Sequence, residues 1–82
     1  MDAPPDGTVE RLRWLEDQAE RSYSVMYEAS SGLELAARYS DVKEFLYDAM
    51  GLARRLGQVD EAERLSRRLD EIKTVFRHQF PA

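Results

Sequence analysis

The stretch from Val42 to Phe76 constrains the fold more than any other part of the chain. At helical periodicity Val42, Phe45, Leu46, Ala49, Leu52, Ala53 and Leu56 fall within one arc of about 120°, the width of a core-facing helix. Gly57 follows at once, and glycine is the residue best suited to the left-handed cap that ends a helix. Asp60, Glu61 and Glu63 then favour a new helix N-terminus, because negative charge there is stabilised by the backbone dipoles. Ala62, Leu65, Leu69, Ile72 and Phe76, with Phe80, form its apolar face before Pro81 ends it. A connection as short as Leu56 to Val59 joins antiparallel neighbours. The sequence therefore predicts an αα-hairpin, 41–56 against 59–80, opened by Asp41 and Glu44 at capping-box spacing.

Two helices leave one side of their apolar seam open, and the preceding residues supply a cover. Leu12, Leu15, Ala19, Tyr23, Met26 and Ser30 follow spacings of 3, 4, 4, 3 and 4, a single helical stripe. Leu33 and Ala37 continue it, so the pattern predicts one long helix over about 8–38, started by Thr8 or Gly7. That helix is expected to be kinked or loosened near Gly32, and a break there is the alternative: Ser30-Ser31-Gly32 has the chemistry of a helix end, and Ser31 with Glu34 that of a helix start. Tyr39-Ser40-Asp41 reads as the stop before the hairpin. Strand alternation is absent, and the expected fold is all-α, a small three-helix bundle. The 82 residues hold one domain, 8–82, behind a tail of two prolines and a glycine at 1–7 that is expected to be disordered. A bundle this small has marginal stability, which leaves dimerisation open.

The segment Leu52-Ala-Arg-Arg-Leu-Gly-Gln-Val-Asp-Glu-Ala62-Glu-Arg-Leu65 resembles the turn of a tetratricopeptide hairpin, and the resemblance extends over 43–80. Met50 stands where that motif has a small residue, Ser66 where it has an aromatic and Leu69 where it has alanine. No proline closes the second helix near Thr74. Only one copy is present, whereas a solenoid needs about three repeats to bury its faces. The resemblance implies hairpin geometry and does not extend to a peptide-binding groove.

Several chemistries find no support in the residues. There is no cysteine, hence no disulfide, thiolate ligand or thiol nucleophile. The single histidine, His78, has Val75 three positions before it, so the Glu-x-x-His pair of a carboxylate-bridged metal bundle is missing. Asp17/Glu20 and Asp41/Glu44 lie three apart without an imidazole partner. Glycines 7, 32, 51 and 57 are isolated and make no phosphate cradle. The expectation is a non-enzymatic protein with no catalytic residues, no metal, no cofactor and no small-molecule ligand. The first residues lack the basic and apolar regions of a secretory signal, and no apolar run has membrane-spanning length, so the expected location is cytoplasmic. Ten of the twelve basic residues are arginine, which fits the coding bias of a GC-rich bacterial genome.

Net charge is −4, divided unevenly. Residues 1–50 carry 11 acids against 5 bases, and 51–82 carry 5 acids against 7 bases. On the last helix Asp60/Arg64, Glu63/Arg67 and Arg67/Glu71 are four apart, the spacing of a salt-bridged exposed face. Arg54, Arg55, Arg64 and Arg68 nonetheless define an alternative reading, a nucleic-acid-associated regulator. Tyr23, Tyr27, Tyr39 and Tyr47 read as boundary packing. The leading reading comes from a second stripe on the first helix, Trp14, Gln18, Arg21 and Val25, more than about 100° from the Leu12–Met26 face. Tryptophan and arginine are enriched where proteins meet. The stripe predicts an interaction or regulatory protein that binds itself, as a homodimer, or another protein through the first helix.

Overall fold

The computed structural model describes residues 3–80 as three helices in sequence, α1 (Val9–Met26), α2 (Gly32–Arg55) and α3 (Val59–Gln79). They make a slab of 38 × 28 × 14 Å in which α1 and α3 both pack against α2 and do not approach one another closely. The three expected apolar faces meet in one core: Leu12, Leu15 and Ala19 of α1, Val42, Leu46, Ala49, Leu52 and Ala53 of α2, and Ala62, Leu65, Leu69 and Ile72 of α3, joined by Met50, which lies outside the expected arc. No side chain buried among the described residues is polar or charged. The all-α three-helix bundle is thus the fold the chain adopts.

Helix α1 begins where its cap chemistry directs. The Thr8 hydroxyl accepts the Arg11 N–H at 3.1 Å and donates to the Pro5 carbonyl at 2.8 Å. The Arg11 guanidinium donates to the Pro4 carbonyl and lies 3.5 Å from Asp6, so Pro4 to Asp6 run against the start of the helix. Of the tail read at 1–7, Met1 and Asp2 lie outside the described residues, as do Pro81 and Ala82 at the other end.

The first helix is broken just before Gly32, the alternative the sequence offers, and does not run on to residue 38. α1 stops at Met26, and tight turns follow in which the Glu28 and Ala29 N–H groups donate to Val25 and Met26 carbonyls. Gly32 is no left-handed cap; it is the first residue of α2. Ser31 starts that helix by accepting the Glu34 N–H at 3.1 Å, while the Glu34 carboxylate accepts from both the N–H and the hydroxyl of Ser30. These bonds hold the Glu34 carboxyl below its ordinary range. A reciprocal cap of this kind satisfies donors that a continuous helix would have satisfied itself, so the break is stable. The stop expected at Tyr39-Ser40-Asp41 is absent for the complementary reason. Neither glycine nor proline interrupts the stretch, and Tyr39 is fixed against Phe76 of α3, so α2 runs through it. The hairpin accordingly starts at Gly32 instead of residue 41. Leu33 and Ala37, expected on the core stripe, are exposed, Leu33 to 84%.

The α2–α3 turn follows the sequence closely. Gly57 has φ of +74°, its N–H donates to the Arg54 carbonyl, and the Gln58 N–H reaches back to the Ala53 carbonyl at 2.8 Å. That pair of bonds is the Schellman arrangement, and it closes α2 so that α3 can return along it.

Candidate interaction face at the α1–α2 seam

The stripe Trp14, Gln18, Arg21 and Val25 is divided by the fold. Trp14, Gln18 and Val25 are half-buried, Trp14 where α1 meets α2, and Arg21 is exposed with its guanidinium 2.9 Å from Asp17. Trp14 packs against the core and meets Phe45 of α2 edge to face, ring centroids 6.2 Å apart. The Arg11 guanidinium lies 4.8 Å from the centre of the Trp14 ring. Trp14 is therefore held on one side by a neighbouring ring and on another by a cation, and part of it reaches solvent. Trp14 lies off the Leu12–Met26 face and still touches protein because Phe45 of α2 reaches it.

Beside this seam a cleft of about 580 Å³ opens between residues 6–7, α1 and α2. Arg11, Asp6, Asp48 and Arg55 line it, with Leu15 and Leu52 beneath. Two carboxylates and two guanidinium groups line it; Arg11 lies 3.5 Å from Asp6, and neither Asp48 nor Arg55 makes an ion pair among the described residues. Phe45 and the cleft were not legible as parts of a site from sequence, because both depend on the register between α1 and α2.

Two of the four arginines of α3 are committed to carboxylates. Arg64 donates to Glu16 of α1 and to Glu61; Arg68 donates to Glu20 of α1 and to Glu71. Both pairs with α1 use two guanidinium nitrogens and lie one helical turn apart, a ladder across the gap between α1 and α3. The ladder holds the Glu16 carboxyl below its ordinary value and pushes both guanidinium groups further up. The expected pairs Asp60/Arg64, Glu63/Arg67 and Arg67/Glu71 do not form among the described residues. For Arg64 the reason is geometric: Glu16 offers a bidentate acceptor and Glu61 a second carboxylate, which together occupy its planar guanidinium. Of the four arginines of the nucleic-acid reading, Arg64 and Arg68 are engaged, and Arg54 and Arg55 stay exposed.

His78 is exposed near the C-terminus of α3. Among the described residues, no group of three or more His, Cys, Asp or Glu is placed to hold a metal ion and no helix is long and apolar enough to cross a membrane. In comparisons with known proteins, no family model, no curated protein and no solved structure matches the chain.

Proposed function

We propose that this domain is a non-enzymatic protein-interaction module that meets its partner through the α1–α2 seam, in the cytoplasm. The observation that supports the reading is Trp14 itself. It is a large amphipathic ring fixed by Phe45 and Arg11 before any partner arrives, so little side-chain freedom is lost when its open side is covered. Gln18, Arg21 and Val25 continue the contact along α1. Residues of this kind, a preorganised aromatic surrounded by polar groups, dominate the energetics of protein interfaces. The nucleic-acid alternative is less well supported, because two of its four arginines are neutralised by carboxylates.

Capture from extracts of the native cell tests the reading. Wild-type protein and a Val59→Ala control, altered at an exposed residue far along the chain, are expected to retain a common partner that Trp14→Ala loses. Sedimentation of the same proteins separates a second copy from a foreign partner. Equal retention by all three proteins, with Trp14→Ala still helical by circular dichroism, would refute a role for the seam.

A further inference from the structure

The charges around the seam point to the class of partner, an inference that rests on the reading just given. On α2, Asp41, Phe45 and Asp48 are spaced 4 and 3, so a carboxylate lies one turn to either side of the ring that meets Trp14; Glu44 is exposed beside them. None of these three acids has an ion-pair partner among the described residues. Of the cations around them, Arg11 lies 3.5 Å from Asp6 and Lys43 sits over the Tyr39 ring, while Arg55 lines the same cleft as Asp48. Elsewhere in the molecule acids and bases are interlaced, as on the α1–α3 ladder. The chain's excess negative charge lies in residues 1–50; at the seam Asp41 and Glu44 make no ion pair among the described residues, and Asp48 shares its cleft with Arg55 without pairing to it.

We infer that the seam docks a basic amphipathic helix of another protein, with an apolar side chain on Trp14–Phe45 and lysine or arginine on Asp41 and Asp48. A second copy docked face to face would set Asp41, Glu44 and Asp48 against their own duplicates, and like charges brought together at an interface oppose association. Nucleic acid meets the same objection through its phosphates. A cationic helix has the complementary sign, and a one-turn repeat of charges around an apolar residue matches the spacing on α2.

Trp14 is the only tryptophan, so its emission reports the seam directly. Two synthetic helices with the same leucine pattern and no tryptophan, one carrying lysine at its polar positions and the other glutamate, are titrated into the full chain. The lysine helix is expected to shift Trp14 emission to the blue, with affinity falling about tenfold between about 50 and 300 mM salt. Asp41→Asn/Asp48→Asn is expected to weaken this binding about tenfold, while Asp60→Asn/Asp70→Asn, which removes the same charge from α3, leaves it unchanged. No Trp14 response to the lysine helix, or an equal loss in the α3 variant, overturns the inference. In that event a Trp14 shift with the glutamate helix, or with rising concentration of the chain alone, keeps the seam as an interface for a different partner. Silence in all three titrations removes both readings.

Discussion

The ring of Tyr39 lies flat on that of Phe76, centroids 3.8 Å apart and planes 1° from parallel. The pair ties the first half of α2 to the last turns of α3, and Phe76 in turn touches Phe80, which touches Tyr27. Aromatic contacts thus fasten the end of the bundle beyond the last fully buried layer. Tyr39→Ala is expected to cost about 1–2 kcal/mol, with Tyr39→Phe near wild type. Amide exchange should show the loss concentrated in 32–41, and uniform loss along α2 would contradict this role for the stack.

Ser31 carries a separable burden. The residues it initiates, Leu33, Ala36 and Ala37, are exposed, so this end of α2 depends on its cap more than on burial. Ser31→Ala is expected to remove about 1 kcal/mol locally, raising exchange over 32–36 while Val42 to Ala53 keep their protection. Ser31→Asp should preserve it, since aspartate accepts the same N–H bond.

How far the sequence reveals this architecture depends on the distance over which each signal acts. The Leu12–Met26 stripe, the Val42–Leu56 arc and the Ala62–Ile72 face are local periodicities, and each appears in the core. Gly57 was legible because a left-handed cap involves only its near neighbours. The end of α1 was not, because Ser30-Ser31-Gly32 carries both stop and start chemistry while Leu33 and Ala37 extend the stripe in sequence without reaching the core in space. Arg64 and Arg68 illustrate the longer-range failure: their partners Glu16 and Glu20 lie 48 positions away, a register fixed only after both helices dock on α2. The seam was half legible. The Trp14 stripe was visible, while its relation to Phe45, Asp41 and Asp48 needed that same docking.

Two glycines should respond to alanine with opposite sign. Gly57 has φ of +74°, where a Cβ is strained even though nothing lies within 4 Å of it; Gly57→Ala is expected to cost about 1 kcal/mol. Gly32 sits in the first turn of α2 with no positive φ and open space around it, so Gly32→Ala is expected to stabilise by about 0.4–1 kcal/mol. Thermal unfolding of both variants checks the contrast. A loss at Gly32 would mean that the α1–α2 break needs glycine itself.

Tyr23 supplies a high-pH signature. Partial burial, followed by the 3.1 Å hydroxyl contact with Tyr27, pushes its phenol from the ordinary 10.0 up to about 12. The unfolded chain releases this proton first, so stability should fall as pH rises from 10 toward 12. Tyr27→Phe removes the hydroxyl contact but not the burial and should reduce, not abolish, that fall. Urea unfolding across this range, with the ultraviolet band of phenolate as a second readout, tests the assignment.

The ladder between α1 and α3 makes the sharpest electrostatic prediction. Arg64 Nη1 and Nη2 lie 2.7 and 2.8 Å from the two oxygens of Glu16, in a pair whose side chains are 46% and 28% exposed. Solvent at that exposure screens the attraction, so a double-mutant cycle of Arg64→Gln and Glu16→Gln is expected to give about 0.5–1 kcal/mol, shrinking toward zero near about 1 M salt. The Glu16 carboxyl is lowered from 4.5 chiefly by its hydrogen bonds from Arg64, against an opposing contribution from burial. A depressed carboxyl stabilises the fold fully above its unfolded value and loses that contribution as pH drops through the folded one. Wild type should therefore exceed Glu16→Gln by a constant margin above pH about 5, and the margin should close in more acid solution. A margin that persists in acid would assign Glu16 a packing role and leave Arg68 and Glu20 as the working rung.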